Sequence, residues 1–164
     1  MSDFYIISKN GYGEIVEKKS KFIANVFHVS NEQEAAAHIE AIRKKYWDAR
    51  HNCHAFVIGA HDETQRCSDD GEPSGTAGKP ILEVIHGNNL HNCLIVVTRY
   101  FGGILLGTGG LVRAYTQAAQ AGLADATVQQ QTEGRRIHLT FDYTNLAKLQ
   151  HIAGQLKLTL DNVQ

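Results

Sequence analysis

Long apolar runs are what this 164-residue chain most plainly lacks. The longest stretches, Ile81 to Ile85 (broken by Glu83) and Cys93 to Val97, fall far short of the roughly 20 residues that span a bilayer. No membrane partner is expected. An excess of charge is missing too. Sixteen Lys+Arg stand against 17 Asp+Glu, which excludes a protein that coats nucleic acid by bulk charge. Any anion site must be local. Cysteine is scarce and odd in number, and a core of this size needs no disulfide staples. Cys53, Cys67 and Cys93 are therefore expected to be reduced. The chain opens without a basic start followed by an apolar stretch, so a cytoplasmic location is the expectation. There is no internal repeat or low-complexity tract.

The charge that is present is segregated. Residues 61–90 hold Asp62, Glu63, Asp69, Asp70, Glu72 and Glu83 against only Arg66 and Lys79, leaving the rest of the chain net positive. Two short basic clusters, Lys18-Lys19-Ser20-Lys21 and Arg43-Lys44-Lys45, can face a phosphate backbone or simply form solvated surface.

The hydrophobic pattern alternates strands with helices. Residues 14–29 read as a pair of strands covered on both faces. Ser30 and Gln33 have capping-box spacing, and Ala35, Ile39, Ile42 and Tyr46 then form an apolar helical stripe. His51 to Ile58 reads as a strand, and residues 61–79 as a long functional loop. Pro80 opens a short helix stopped by Gly87. Cys93 to Val97 reads as a buried central strand. After the glycines at 102–110, Leu111, Tyr115, Ala118 and Gly122 mark a helix with a small-residue face. Residues 127–133 look like a linker. Beyond it, residues 136–143 and 157–160 read as strands around a helix at 145–156. The expectation is an α/β layer fold (α+β, two-layer) over 1–126, followed at 134–164 by elements too few to bury a core of their own.

Several constellations carry possible chemistry. Asp69, Asp70 and Glu72 can bind a hard cation such as Mg²⁺, or act only as turn and helix caps. Gly78-Lys79 resembles a phosphate loop, but Pro80 replaces the required Ser or Thr. Gly107-Thr108-Gly109 has Val112 where the dinucleotide fingerprint needs its third glycine. No cofactor is therefore expected. His51-Asn52-Cys53 and His91-Asn92-Cys93 each open a strand, and a zinc site is conceivable if the strands are neighbours. Arg99 at the end of the buried strand, followed by Gly107, Thr108, Gly109, Gly110 and Arg113 at a helix start, suggests an anion pocket of backbone amides and guanidinium groups. Glycines needed only for tight packing are the alternative.

Two long blocks carry a resemblance to a known family. Cys67-Ser68-Asp69-Asp70-Gly71-Glu72-Pro73-Ser74-Gly75-Thr76-Ala77-Gly78-Lys79-Pro80 and Val97-Thr98-Arg99-Tyr100-Phe101-Gly102-Gly103, continuing to Tyr115, resemble the signature of the IMPACT family and its YigZ-like bacterial members. Shorter blocks at 18–24 and 49–55 agree. The resemblance implies an N-terminal domain similar to domain 2 of ribosomal protein S5, with the tail as the first β-α-β portion of a ferredoxin-like domain. It also implies translation regulation, which eukaryotic relatives perform through a partner-binding domain not carried over here. The expected role is an RNA- or ribosome-binding protein using Lys79, Arg99, Arg113 and the 107–110 amides. The alternatives are a Mg²⁺-dependent enzyme for a phosphorylated small molecule, with Asp69, Asp70 and Glu72 as ligands, and a protein-interaction module.

Overall fold

The computed structural model describes residues 3–161, in two compact units divided between Glu133 and Gly134. In the first unit, β2 (Gly11–Glu17), β3 (Ser20–His28), β4 (His51–Ile58), β5 (Thr64–Ser68) and β6 (Cys93–Tyr100) form one sheet in the order β2-β3-β6-β4-β5. Every pairing in it is antiparallel. The fold is thus α+β, and Cys93 to Val97 lies in the central strand as its apolar run predicts.

That run is continuous because both faces are covered. Cys93, Ile95 and Val97 join Phe22, Ala24, Val26, Cys53, Ala55 and Val57 beneath α2 (Gly78–Gly87) and α3 (Gly107–Asp125). Leu94 and Val96 face the other way, against Ala35 and Ile42 of α1 (Glu32–Lys45). The stripe Leu111, Tyr115, Ala118 and Gly122 of α3 is buried as expected. Close approach explains its small end, since a β-carbon at Gly11 of β2 would overlap the Gly122 carbonyl.

Several boundaries differ from the sequence reading. The N-cap of α1 is Asn31, whose side chain accepts from the Glu34 amide at 2.8 Å, while Glu34 in turn accepts from Ser30 N. The capping pair is therefore shifted by one residue from Ser30 and Gln33. The long loop contains β5, a polar edge strand paired to β4. The supposed linker is β7 (Thr127–Thr132), antiparallel to β1 (Asp3–Lys9) with Val128 opposite Ile7. All six of its residues are exposed, so burial left no mark on its sequence.

The second unit holds a 3-10 turn, Tyr143–Asn145, and α4 (Leu146–Gln155). The segments expected as strands at 136–143 and 157–160 are not strands: residues 136–142 and 158–160 are irregular, residue 143 begins the 3-10 turn, and none pairs with a strand among the described residues. Alternating apolar residues give a segment a face, but a strand also needs a neighbour to satisfy its backbone.

Candidate phosphate-binding site and the acidic loop

Register decides where Arg99 points. It lies opposite Phe22 of β3 and His51 of β4, on the α3 side of the sheet. The residue is only 6% exposed. Its Nη1 donates to Glu72 Oε1 at 2.7 Å, and the guanidinium lies over the rings of Phe22 and Phe101. The same Glu72 oxygen accepts from the Tyr115 hydroxyl at 2.7 Å, and His51 Nε2 stands 3.9 Å away. Arg99, expected to face phosphate, instead sits under the surface and anchors the acidic loop.

The other two acids are engaged as well. Asp69 accepts from the amides of Gly75, Ala77 and Gly78, bridging the loop to the first turn of α2. Desolvation pushes its carboxyl up, but the amides of Gly75, Gly78 and Ala77 outweigh it and hold the group below its ordinary value. Asp70 accepts from Asn52 N at 2.7 Å and pairs with Arg43 at 3.2 Å. Among the described residues, no group of three or more His, Cys, Asp or Glu is arranged to hold a metal ion. The three acids act here as latches that tie the loop to the sheet and helices.

The zinc arrangement does not form, for a topological reason. β4 and β6 are neighbours but run antiparallel, so Cys53 lies opposite Val97 and Cys93 opposite Val57. The two His-Asn-Cys segments fall at opposite ends. Cys53 Sγ lies 3.0 Å from the Asp69 carbonyl oxygen and 3.3 Å from Tyr115 Oη. Burial pushes both the Cys53 and Cys93 thiols up to about 12, which leaves them un-ionised at neutral pH.

The start of α3 is different in kind. No side chain caps it and no acid stands in its first turn, so its leading amides and positive helix end are open. Gly107, Thr108 and Gly109 are exposed there. Arg113 folds back toward them, with Nη1 3.3 Å from where a Gly109 β-carbon would lie. Lys18 and Arg113 line one pocket of about 90 Å³, together with Leu106, Gly110, Gln117 and the carboxylate residue Glu17. Lys79 is exposed separately, in the first turn of α2.

Lys18 belongs to the basic cluster at 18–21. It and Lys19 form the two-residue turn between β2 and β3, both in the left-handed region at φ 44° and 65°. Gly102 packs on that turn so closely that a β-carbon would overlap the Lys19 carbonyl, and its amide donates to Ser20 Oγ at 3.2 Å. Gly102 thus seats the β6–α3 loop against the lysine hairpin. A dense glycine segment downstream of a basic turn is the sequence signal for such a contact, but only pairing register reveals the partner.

An antiparallel sheet with helices on both faces and a loop latched inward by three carboxylates defines an α+β domain. The Impact N-terminal domain model matches residues 18–123, and the chain belongs to the IMPACT family. It is 46% identical over 151 residues to the IMPACT family member YvyE of Bacillus subtilis (strain 168), covering 92% of this chain and 70% of that protein. Identity to the IMPACT family member YigZ of Escherichia coli (strain K12) is 44% over 140 residues, covering 84% and 69%. A crystal structure of a hypothetical protein superposes with a TM-score of 0.76 at 37% identity, covering 99% of this chain and 80% of the other. No helix among the described residues is long and apolar enough to cross a membrane.

Proposed function

We propose that this chain is a translation regulator of the cytoplasm that binds RNA or the ribosome, gripping phosphates at the start of α3. The observation that carries the reading is the meeting of Lys18 and Arg113 in one pocket beside Gly110, at a helix end without a cap. Two cations against the single Glu17 carboxylate, with the uncapped amides of residues 107–109 at the adjoining helix end, support a site for an anion with several oxygens. Lys19 of the same turn extends the positive surface, Thr108 adds a hydroxyl, and the separately exposed Lys79 is a further cation for a polyanion. Arg99 supports this surface from below, through Glu72 and through its contact with Phe101. The membership in the IMPACT family supports the link to translation.

Co-sedimentation with ribosomes and with free RNA tests the reading. Wild type should pellet with one or both at low salt, and the Lys18→Glu/Arg113→Glu variant should stay in the supernatant. Equal pelleting of a folded double variant would overturn the proposed site.

A further inference from the structure

The sheet has a second face with chemistry that the phosphate site does not use. Helix α1 covers β4, β6 and the Phe27 end of β3 on that face, where His38 stacks on Phe27 at 4.2 Å. Toward β2, the pairing puts Tyr12 opposite Asn25 and Lys21 opposite Tyr100, so these four side chains share the side away from α3. The C-cap residue of α1, Tyr46, reaches the same place. Its ring centroid is 6.5 Å from that of Tyr100 at 78°, with Lys45 Nζ 5.3 Å above it. Tyr12 is 44% exposed and the next aromatic, Trp47, is 81% exposed.

Asn25 marks this face as unfinished. It is 8% exposed, yet its side-chain amide nitrogen has no hydrogen-bond partner. A buried donor without an acceptor is rare in a settled surface. The charges nearby are sorted. Glu14 is taken up by Lys21 at 3.0 Å and by the Tyr12 hydroxyl, and Asp48 by the Tyr100 hydroxyl at 2.7 Å. Lys44, Lys45 and Arg50 are exposed and make no ion pair among the described residues. The rim therefore offers free positive charge beside aromatic rings.

We propose that this face is a stacking platform for the bases of single-stranded RNA, with the exposed Tyr12 as the stacking ring and Lys44, Lys45 and Arg50 as the cations beside it. Aromatic side chains on an open antiparallel sheet stack bases, and lysines at the rim complement the phosphates between them. The inference rests on the RNA reading of the α3 site and adds base contact to it. The lysine hairpin joins β2 to β3, so one strand can pass from the phosphate pocket around the hairpin to the sheet.

The test compares binding of single-stranded RNA of about ten nucleotides with an abasic strand of equal length, by fluorescence anisotropy. Wild type should prefer the strand with bases. Tyr12→Ala should weaken RNA binding about 5-fold to 100-fold and leave abasic binding unchanged, while Tyr12→Phe, which keeps the ring, retains affinity. If wild type binds both strands equally, or Tyr12→Ala binds RNA normally, the platform is wrong and the phosphate site stands. If wild type binds neither strand nor ribosomes, the RNA reading falls and the platform with it. Capture of a protein by this face in a Tyr12-dependent manner, without RNA preference, would also overturn it.

Discussion

Arg99 and Glu72 form an ion pair at 2.7 Å with side chains only 7% and 3% exposed, joining the central strand to the acidic loop. Removing one partner leaves a buried charge uncompensated, which is far worse than lacking the pair. Glu72→Ala should therefore lower stability by about 3–5 kcal/mol in urea unfolding. The Glu72→Leu/Arg99→Met double variant should recover much of that loss. A loss below about 1 kcal/mol for the single variant would show that the pair is solvated.

Asp69 predicts an acid limb. Its carboxyl is held below the ordinary value of 3.8 in the folded protein. A depressed folded value contributes stability that is present above the unfolded value and lost as pH falls through the folded one. Asp69→Asn should therefore flatten the decline in stability below about pH 4. Urea midpoints across a pH series test this, and an unchanged acid slope would contradict it.

The thiols predict selective labelling. Cys53 and Cys93 are buried and Cys67 is exposed. A thiol reagent should modify Cys67 quickly in the native protein and reach Cys53 and Cys93 only on unfolding. Rapid modification of Cys53 in the folded state would mean that the contact between Asp69, Cys53 and Tyr115 opens readily.

Gly102 predicts a link between packing and binding. Gly102→Ala should cost about 1–3 kcal/mol, because the Lys19 backbone must move aside, and should weaken RNA binding without altering charge. Gly134→Ala, with open space around it, serves as the control. Normal RNA affinity in a destabilised Gly102→Ala protein would separate the hairpin from the binding surface.

The sequence was most legible where one element carries its own periodicity. The α3 stripe, the central strand and β4 could be read directly because burial selects their apolar residues. Elements defined by a partner were not legible. β7 is polar and exposed, and only its pairing with β1 makes it a strand. Residues 136–142 alternate well and yet pair with no strand among the described residues. The burial of Arg99 is not legible because an unbroken apolar run hides which face each residue takes. Counting back by twos through Val97 and Ile95 puts it with the buried α3 side, and the partner that permits its burial, Glu72, lies in a loop with no periodicity at all. Likewise, the proximity of Lys18 to Arg113 depends on a hairpin turn and a helix start far apart in sequence.

The central claim is that Lys18 and Arg113 contact phosphates. The most direct measurement is the affinity for single-stranded RNA across a KCl series, for wild type and for Lys18→Gln/Arg113→Gln. Each phosphate contact contributes roughly 0.7 to the slope of log K against log salt concentration. The double variant should bind more weakly with a slope reduced by about 1.4. Equal slopes for the two proteins would place the phosphate contacts elsewhere and contradict the account.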